Sequence, residues 1–215
     1  MKEYKEYAFG SLEPTLITRE FVERLSNLKK VCHHFHLSLQ SGCNETLKRM
    51  NRRYTIEEFE EGVALLRKAF PEVALTTDII VGFPGETEEE FNTTYEFLKK
   101  IKFYKTHIFK YSQRKGTKAA IMPNQIDGKI KEERSRKLIE LSDKNEVEYN
   151  KEYIGKKVEV LFEEPHEGYM KGHTANYIVV KIKIENEEKL VKQLENTIKT
   201  VEITGIDGVE LVGKM

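Results

Sequence analysis

The stretch "TTDIIVGFPGETEEEF", residues 76–91, most restricts what this chain can become. It begins as a strand and ends as a helix. Ile79, Ile80 and Val81 form a short apolar, β-branched run of the kind buried on both faces of a sheet. Pro84 and Gly85 suit the central positions of a type II turn. Thr87 with Glu90 is a capping box, after which Phe91, Tyr95 and Leu98 recur at helical spacing. Gly82 is not explained by this pattern. A glycine where a strand leaves its sheet marks close approach by a ligand or another piece of chain. The local pattern leaves open whether the turn touches a ligand or only reverses the chain.

Similar units recur. "YAFGSL" near the start, "HFHLSLQ" at 34–40, "VALTTDIIVG" at 73–82 and "THIFKYS" at 106–112 read as strands. Helical patterns separate them. One runs from about residue 18 to 30 with Phe21, Leu25 and Leu28 on one face. A second is opened by the capping box of Thr55 with Glu58 and stops at Pro71, and the third follows Thr87. Strands alternating with helices of this length predict an α/β fold with a parallel sheet of about four strands. Four strands are too few to close a (β/α) barrel, which leaves a small open sheet or part of something larger.

Residues 128–153 are highly charged with weak helical periodicity and read as a connector helix. After Gly155 the pattern changes to "KKVEVLFEE", "GYMKGHTA", "NYIVVKIKIE", "TIKTVEIT" and "GVELVGK", short runs divided by Gly, Asn and charged turns. Five short strands predict a small all-β barrel, and with it two domains, residues 1–150 and 151–215.

The 215 residues include 36 Lys or Arg and 36 Asp or Glu, so the overall field draws the chain to neither nucleic acid nor membrane. No apolar run is long enough to span a bilayer, and "MKEYKEYAFG" lacks the apolar core of a signal peptide, so no membrane partner is expected. Cys32 and Cys43 are the only cysteines, too few for a disulfide scaffold, and the expected location is a reducing cytoplasm.

Four stretches taken together resemble one family: "GSLEP" (10–14), "HFHLSLQSGCNETLKRMNRRYT" (34–55), "TTDIIVGFPGETEEEF" and "FKYSQRKGT" (109–117). In this order and spacing they resemble the methylthiotransferases of the radical S-adenosylmethionine (SAM) superfamily, of the MiaB/MtaB type that modifies an adenosine beside the anticodon of tRNA. The tail, with "GYMKGHTANYIVV", is similar to the TRAM domain that ends those enzymes. The resemblance covers the chain from about Ala8 to Met215. It implies a partial radical SAM barrel followed by a five-stranded TRAM barrel. It also implies, for the intact enzyme, methylthiolation at C2 of a modified adenosine with S-adenosylmethionine and two [4Fe-4S] clusters. The family holds its radical cluster through a CxxxCxxC motif after the first barrel strand, and cluster iron requires closely placed thiolates. Cys32 and Cys43 lie eleven residues apart with no third cysteine, so the chain departs from the family there. It reads as the C-terminal part of such an enzyme, its first strand matching the third of six. Alone it is expected to be inactive, with no cofactor bound, and to lack its N-terminal half as a partner. A bare first strand and an uncovered apolar face predict self-association through the barrel edge.

The resemblance also implies site residues. The strand matching residues 78–82 runs beside the cofactor's adenine, which makes Asp78 and Gly82 neighbours of a flat base and Phe83 an apolar one. Ser38, Gln40 and Gly42 alternate on one face of their strand, with Leu37, Leu39 and Ser41 on the other. Polar groups at the C-terminal end of a barrel strand are in the functional position. By resemblance, Gln40 and Ser41 hydrogen-bond the cofactor's ribose or amino acid part; turn hydrogen bonding is the plain alternative. Glu13, ending the first strand, is a further candidate, and Arg52 in "KRMNRRY" an anion partner, against the default of a solvated basic face. His34 and His36 share a strand face; with no third ligand in reach they read as packing or a local hydrogen bond.

Residues 99–118 carry eight basic residues and no acid, interleaved with Phe103, Tyr104, Phe109 and Tyr111. This suits phosphate contact with base stacking, through Lys110, Arg114 and Lys115, although strand alternation also allows the aromatics to be core. From Gly155 onward there are nine Lys against eleven Asp or Glu, which is not the balance of an RNA-binding barrel. What remains there is a patch of Tyr169, Lys171, His173, Asn176, Tyr177 and Lys181. The expected partner is the tRNA anticodon arm, held weakly by the tail and helped by the 99–118 stretch. The rival readings are a stand-alone RNA-binding protein with a degenerate half-barrel, and another radical SAM enzyme, against which the tail argues.

Overall fold

The computed structural model describes residues 7–184 and 188–215. The first part comprises β1 (Ser11–Leu12), a 3-10 turn (Pro14–Leu16), α1 (Arg19–Ser26), β2 (His34–Gln40), α2 (Asn44–Arg49), α3 (Ile56–Ala69), β3 (Ala74–Val81), α4 (Glu88–Ile101), β4 (Lys105–Lys110), a 3-10 turn (Lys118–Ile121) and α5 (Gly128–Lys151). The second part comprises β5 (Lys157–His166), β6 (Tyr169–His173), β7 (Val179–Lys183), α6 (Glu188–Leu194), β8 (Ile198–Asp207) and β9 (Glu210–Lys214).

β1 to β4 lie side by side in chain order, all parallel. When every right-handed crossover steps in the same direction, all helices fall on one side of the sheet. Accordingly Val22 and Leu25 of α1, Leu47 of α2, Phe59 and Leu66 of α3, Phe91 and Leu98 of α4, and Leu138 of α5 share one core. They pack on Phe35, Leu37 and Leu39 of β2 and Leu75, Ile79 and Val81 of β3. Alternation sends the other residues to the opposite, lumen side: His34, His36 and Ser38, then Thr76, Asp78 and Ile80, then Lys105, His107 and Phe109. This is a segment of barrel wall rather than a doubly wound sheet. Its uncovered face is mostly polar, which corrects the apolar face expected from the sequence and weakens the case for self-association through it.

The helix caps follow local chemistry. Thr55 and Thr87 each accept from a backbone N–H three residues on, while Glu58 and Glu90 accept from the cap residue's own N–H. Thr55→Ala should cost about 1 kcal/mol in urea denaturation; a loss below a few tenths would mean that Glu58 alone sustains the cap.

Several expectations shift. "YAFGSL" yields only the two-residue β1 and a single bridge from Tyr7 to Val31, because Pro14 turns the chain into the 3-10 turn. α1 ends at Ser26, leaving Leu28 exposed. α2 and α6 add helices that the periodicity does not show. The run "NYIVVKIKIE" forms β7 over Val179–Lys183, its residue 185 lying outside the described residues.

The five strands of the second part close into a barrel, ordered β5-β6-β7-β9-β8 and back to β5. All pairs are antiparallel except β7 with β9. Val160, Phe162, Met170, Val180, Val201, Ile203 and Leu211 fill it completely buried. The barrel docks at the N-terminal ends of the parallel strands, where Ala74 and Tyr104 join its core. α5 runs the length of the sheet. Near its start Glu132 pairs with Lys110, midway Ser142 accepts from Thr106 N–H, and near its end Tyr149 Oη donates to Glu72 O at 2.6 Å. Its 24 residues make a strut of about 36 Å.

Candidate active-site edge and lumen

At the C-terminal strand ends two distant candidates meet: Arg52 Nη1 lies 3.3 Å from Glu13 Oε1. Both side chains keep partial exposure, so the pair faces the open edge of the sheet. Tyr54 holds the Arg52 loop against β2, with its hydroxyl 2.6 Å from Ser38 O and 2.8 Å from Leu39 O. Burial pushes the Tyr54 phenol's pKa up, so it stays a neutral donor.

The other C-terminal candidates go elsewhere. Ser41 is buried, its Oγ 3.3 Å from Thr94 Oγ1 of α4 and accepting from Cys43 N–H. A register shift before Gln40 breaks the strand alternation and leaves that residue buried with φ +68°. The 82–86 turn is fastened by a group the sequence reading did not single out. Glu86, almost fully buried, accepts from Gly82 N–H at 2.7 Å and from Arg134 Nη1 of α5 at 2.6 Å. Burial pushes the Glu86 carboxyl up, against the pull of the Gly82 N–H and Arg134. Gly82 has φ +71°, and a Cβ there would collide with the Lys131 side chain. Its missing side chain makes room for Lys131, whose Nζ donates to Tyr111 O at 3.1 Å. Phe83 is buried edge-on against Tyr111, with ring centroids 5.3 Å apart.

Asp78 belongs to a line of groups on the lumen face. Its Oδ2 lies 3.2 Å from His36 Nε2; His36 Nδ1 lies 3.0 Å from Thr76 Oγ1, which lies 3.2 Å from His34 Nε2. One tautomer set satisfies every link: His36 Nε2–H donates to Asp78, Thr76 O–H to His36, and His34 Nε2–H to Thr76. The local hydrogen bond expected for His34 and His36 is what forms. Burial, then the neighbouring His36 and His107, lowers the His34 pKa from 6.5 to about 4. A depressed histidine pKa gives stability that is full above 6.5 and lost as pH falls towards 4. His34→Gln should flatten the acid side of the stability profile in that window; an unchanged slope would assign it to other groups.

The tail candidates are mostly engaged within the chain. Lys171 pairs with Glu210 at 2.7 Å, Lys181 with Asp207 at 2.8 Å and Glu210 at 3.0 Å, and His173 Nδ1 lies 2.8 Å from Glu163. Lys181 Nζ also sits 5.1 Å over the Tyr169 ring. Asn176 and Tyr177 face the sheet: Asn176 Nδ2 lies 2.8 Å from Tyr153 Oη and 3.1 Å from Glu72 O, and the Tyr177 ring is 5.0 Å from His34. In the 99–118 stretch Lys110 pairs with Glu132, while Arg114 and Lys115 are exposed with no ion pair among the described residues. Phe103 and Tyr104 are core, but Phe109 is exposed on the lumen side.

One wall of a (β/α) barrel, polar along its lumen and carrying an ionic pair at its C-terminal strand ends, is an architecture whose active sites lie at those ends. A family model for the radical SAM superfamily matches residues 3–98. The threonylcarbamoyladenosine tRNA methylthiotransferase MtaB of Bacillus subtilis is 45% identical over 184 residues, 83% of this chain and 41% of that protein. A tRNA-2-methylthio-N(6)-dimethylallyladenosine synthase of Lachnoclostridium phytofermentans is 37% identical over 214 residues, 98% of this chain and 46% of that protein. The chain thus spans less than half the length of either relative. Coproporphyrinogen III oxidase (HemN) from Escherichia coli, a radical SAM enzyme, covers 91% of this chain and 50% of its own at TM-score 0.56 and 12% identity, a likeness of fold alone. The chain is thus similar to the radical SAM superfamily over residues 3–98 and to MiaB/MtaB-type relatives over most of its own length.

Proposed function

We propose that this chain is the C-terminal part of a tRNA methylthiotransferase that attaches a methylthio group to C2 of a modified adenosine beside the anticodon. The observation that carries this is the continuous likeness to a methylthio-adenosine synthase over 98% of the chain, through both the sheet and the small barrel. The division falls at about residue 150, with residues 151–215 as a TRAM-type RNA-binding barrel. No helix among the described residues is long and apolar enough to cross a membrane.

S-adenosylmethionine, when bound, supplies a methyl group and the source of a deoxyadenosyl radical. Glu13 and Arg52, one acid and one base at the strand ends, complement the charges of its amino acid end. Asp78, oriented by His36, offers its second carboxylate oxygen to the lumen as an acceptor. The residues do not fit an iron–sulfur cluster: Cys32 and Cys43 are both buried and fall short of the three thiolates that the family's motif supplies. Anaerobic reconstitution of the chain should therefore yield no stoichiometric cluster; one [4Fe-4S] per chain would contradict this reading. The Lys131 stem over Gly82 favours, as a second reading, an RNA-binding chain whose cofactor edge is closed.

Disrupting this coding region in its host and analysing tRNA nucleosides by mass spectrometry should remove a methylthio-adenosine, and unchanged nucleosides would refute the assignment. For RNA contact, Arg114→Ala with Lys115→Ala should flatten the log–log salt dependence of binding by about 0.7 per lost contact. Lys110→Ala should change it little, because Glu132 already neutralises that lysine. Equal slopes for parent and double variant would remove residues 114–115 from the RNA site.

A further inference from the structure

The small barrel and the candidate reaction edge sit at opposite ends of the same strands. His34, Glu72 and Tyr104, at the N-terminal ends, meet the small barrel. Glu13 and Arg52 lie beyond the C-terminal ends, as do Arg114 and Lys115 after β4. The eight residues of β3, at about 3.3 Å each, separate the two ends by about 25 Å.

Two features hold that separation. One is α5, which contacts the 82–86 turn at one end through Arg134 and the Glu72 carbonyl at the other through Tyr149. The second is the turn at 174–177. Its Asn176 Nδ2 lies within 3.2 Å of three oxygens: Glu72 O before β3, Tyr149 Oη of α5 and Tyr153 Oη just after α5. Tyr177 holds a left-handed backbone at φ +63°, uncommon for a bulky residue. Its N–H donates to Thr174 O at 2.9 Å, and its ring lies between His34 of the sheet (5.0 Å) and His173 of the small barrel (6.0 Å). Lys156 adds an ion pair to Glu72 at 2.7 Å. Convergent hydrogen bonds on one amide specify an orientation in a way that apolar contact does not.

Charge is divided between the ends in a matching way. The lysines of the small barrel's patch, Lys171 and Lys181, are paired with Asp207 and Glu210, whereas Arg114 and Lys115 have no ion pair among the described residues. Arg114 and Lys115 therefore offer phosphate attraction at the C-terminal end, and the small barrel's patch contributes position. Two weak attachments on one rigid body reinforce each other only for a ligand that spans them.

We propose that the 174–177 turn is a lock that makes this chain a ruler for RNA. It sets the small barrel so that a hairpin RNA held there presents one nucleotide at a fixed reach to the C-terminal strand ends. Asn176 and Tyr177 are then positioning residues rather than base contacts. This rests on the RNA-binding reading above and goes beyond it by naming what selects the nucleotide.

The test uses the 215-residue chain, a tRNA anticodon-arm hairpin and a benzophenone probe attached in place of Gln113, an exposed residue beside Arg114. In the parent, cross-links should fall on one or two adjacent nucleotides. With Asn176→Ala and Tyr177→Ala together they should spread over several nucleotides while affinity falls less than tenfold. Tyr177→Phe should keep the parent register, and Tyr149→Phe, which removes a lock hydroxyl on α5 and leaves the ring packed against the small barrel, should broaden it. Residual dipolar couplings without RNA read the lock directly: both parts share one alignment tensor in the parent and separate in the double variant. A shared tensor with unchanged cross-links in the double variant would overturn the proposal. A parent chain that binds no hairpin at low salt would overturn the RNA reading itself, and the couplings would still report whether the lock exists.

Discussion

Arg134→Ala should destabilise the chain by about 3–5 kcal/mol at neutral pH, the cost of stranding a buried charge. Arg134 and Glu86 are both almost fully enclosed, and Glu86 also holds the Gly82 N–H, so the substitution leaves a carboxylate with a single donor. The guanidinium also lies over the Phe91 ring at 5.3 Å, adding a packing loss. The pH dependence separates the two contributions. Burial already raises the Glu86 pKa above the ordinary 4.5, so its contribution to stability is full below 4.5 and falls as pH rises through the raised value. Removing the cation lifts that value further and widens the window. The penalty of the substitution should therefore be large at pH 7 and small at pH 4, when parent and variant are compared by urea denaturation at each. An equal penalty at both would mean that Arg134 acts by packing alone.

Gly172→Ala should cost about 3 kcal/mol, the upper end for forcing atoms into a filled core. A Cβ at Gly172 would collide with the Leu161 carbonyl oxygen and lie 2.8 Å from Phe162 Cα. Both are backbone atoms of β5, beside the register shift between Phe162 and Glu164, and neither can move without opening the β5–β6 ladder. Hydrogen exchange should show protection lost first in β5 and β6, with β2 and β3 retaining theirs. A change below about 1 kcal/mol would show that the register shift absorbs the methyl group.

What could be read from the sequence was local. The alternation in "HFHLSLQ" marks β2 to the residue, and both capping boxes form as read, because strand pleat and cap chemistry need only neighbours in the chain. Ser41, beyond the register shift before Gln40, meets Thr94 of α4, a contact that the strand pattern alone does not indicate. α2 escaped because six residues are too short for a helical period to show. Gly82 was correctly marked as a close approach, but the approaching group comes from Lys131, on a helix whose own periodicity is weak. Glu86 has the appearance of a solvated acid before a helix, and only Arg134, 48 residues on, makes it an interior one. In the tail, the excess of acids over bases signals neutralised lysines without saying which acid meets which lysine.

The parallel pairing of β9 with β7 has a consequence for how the chain is made. β9 supplies the partner for both β7 and β8, and it comes after the other four strands of the small barrel in the chain. The sheet and its helices can assemble while translation continues, since their contacts lie upstream. The small barrel cannot. Until Glu210–Lys214 clears the ribosome, β7 and β8 each present an unpaired edge able to recruit a neighbouring nascent chain on the same messenger. Ribosome pausing before β9 has emerged should therefore favour aggregation of this protein, whereas pausing before β5 should leave it unharmed.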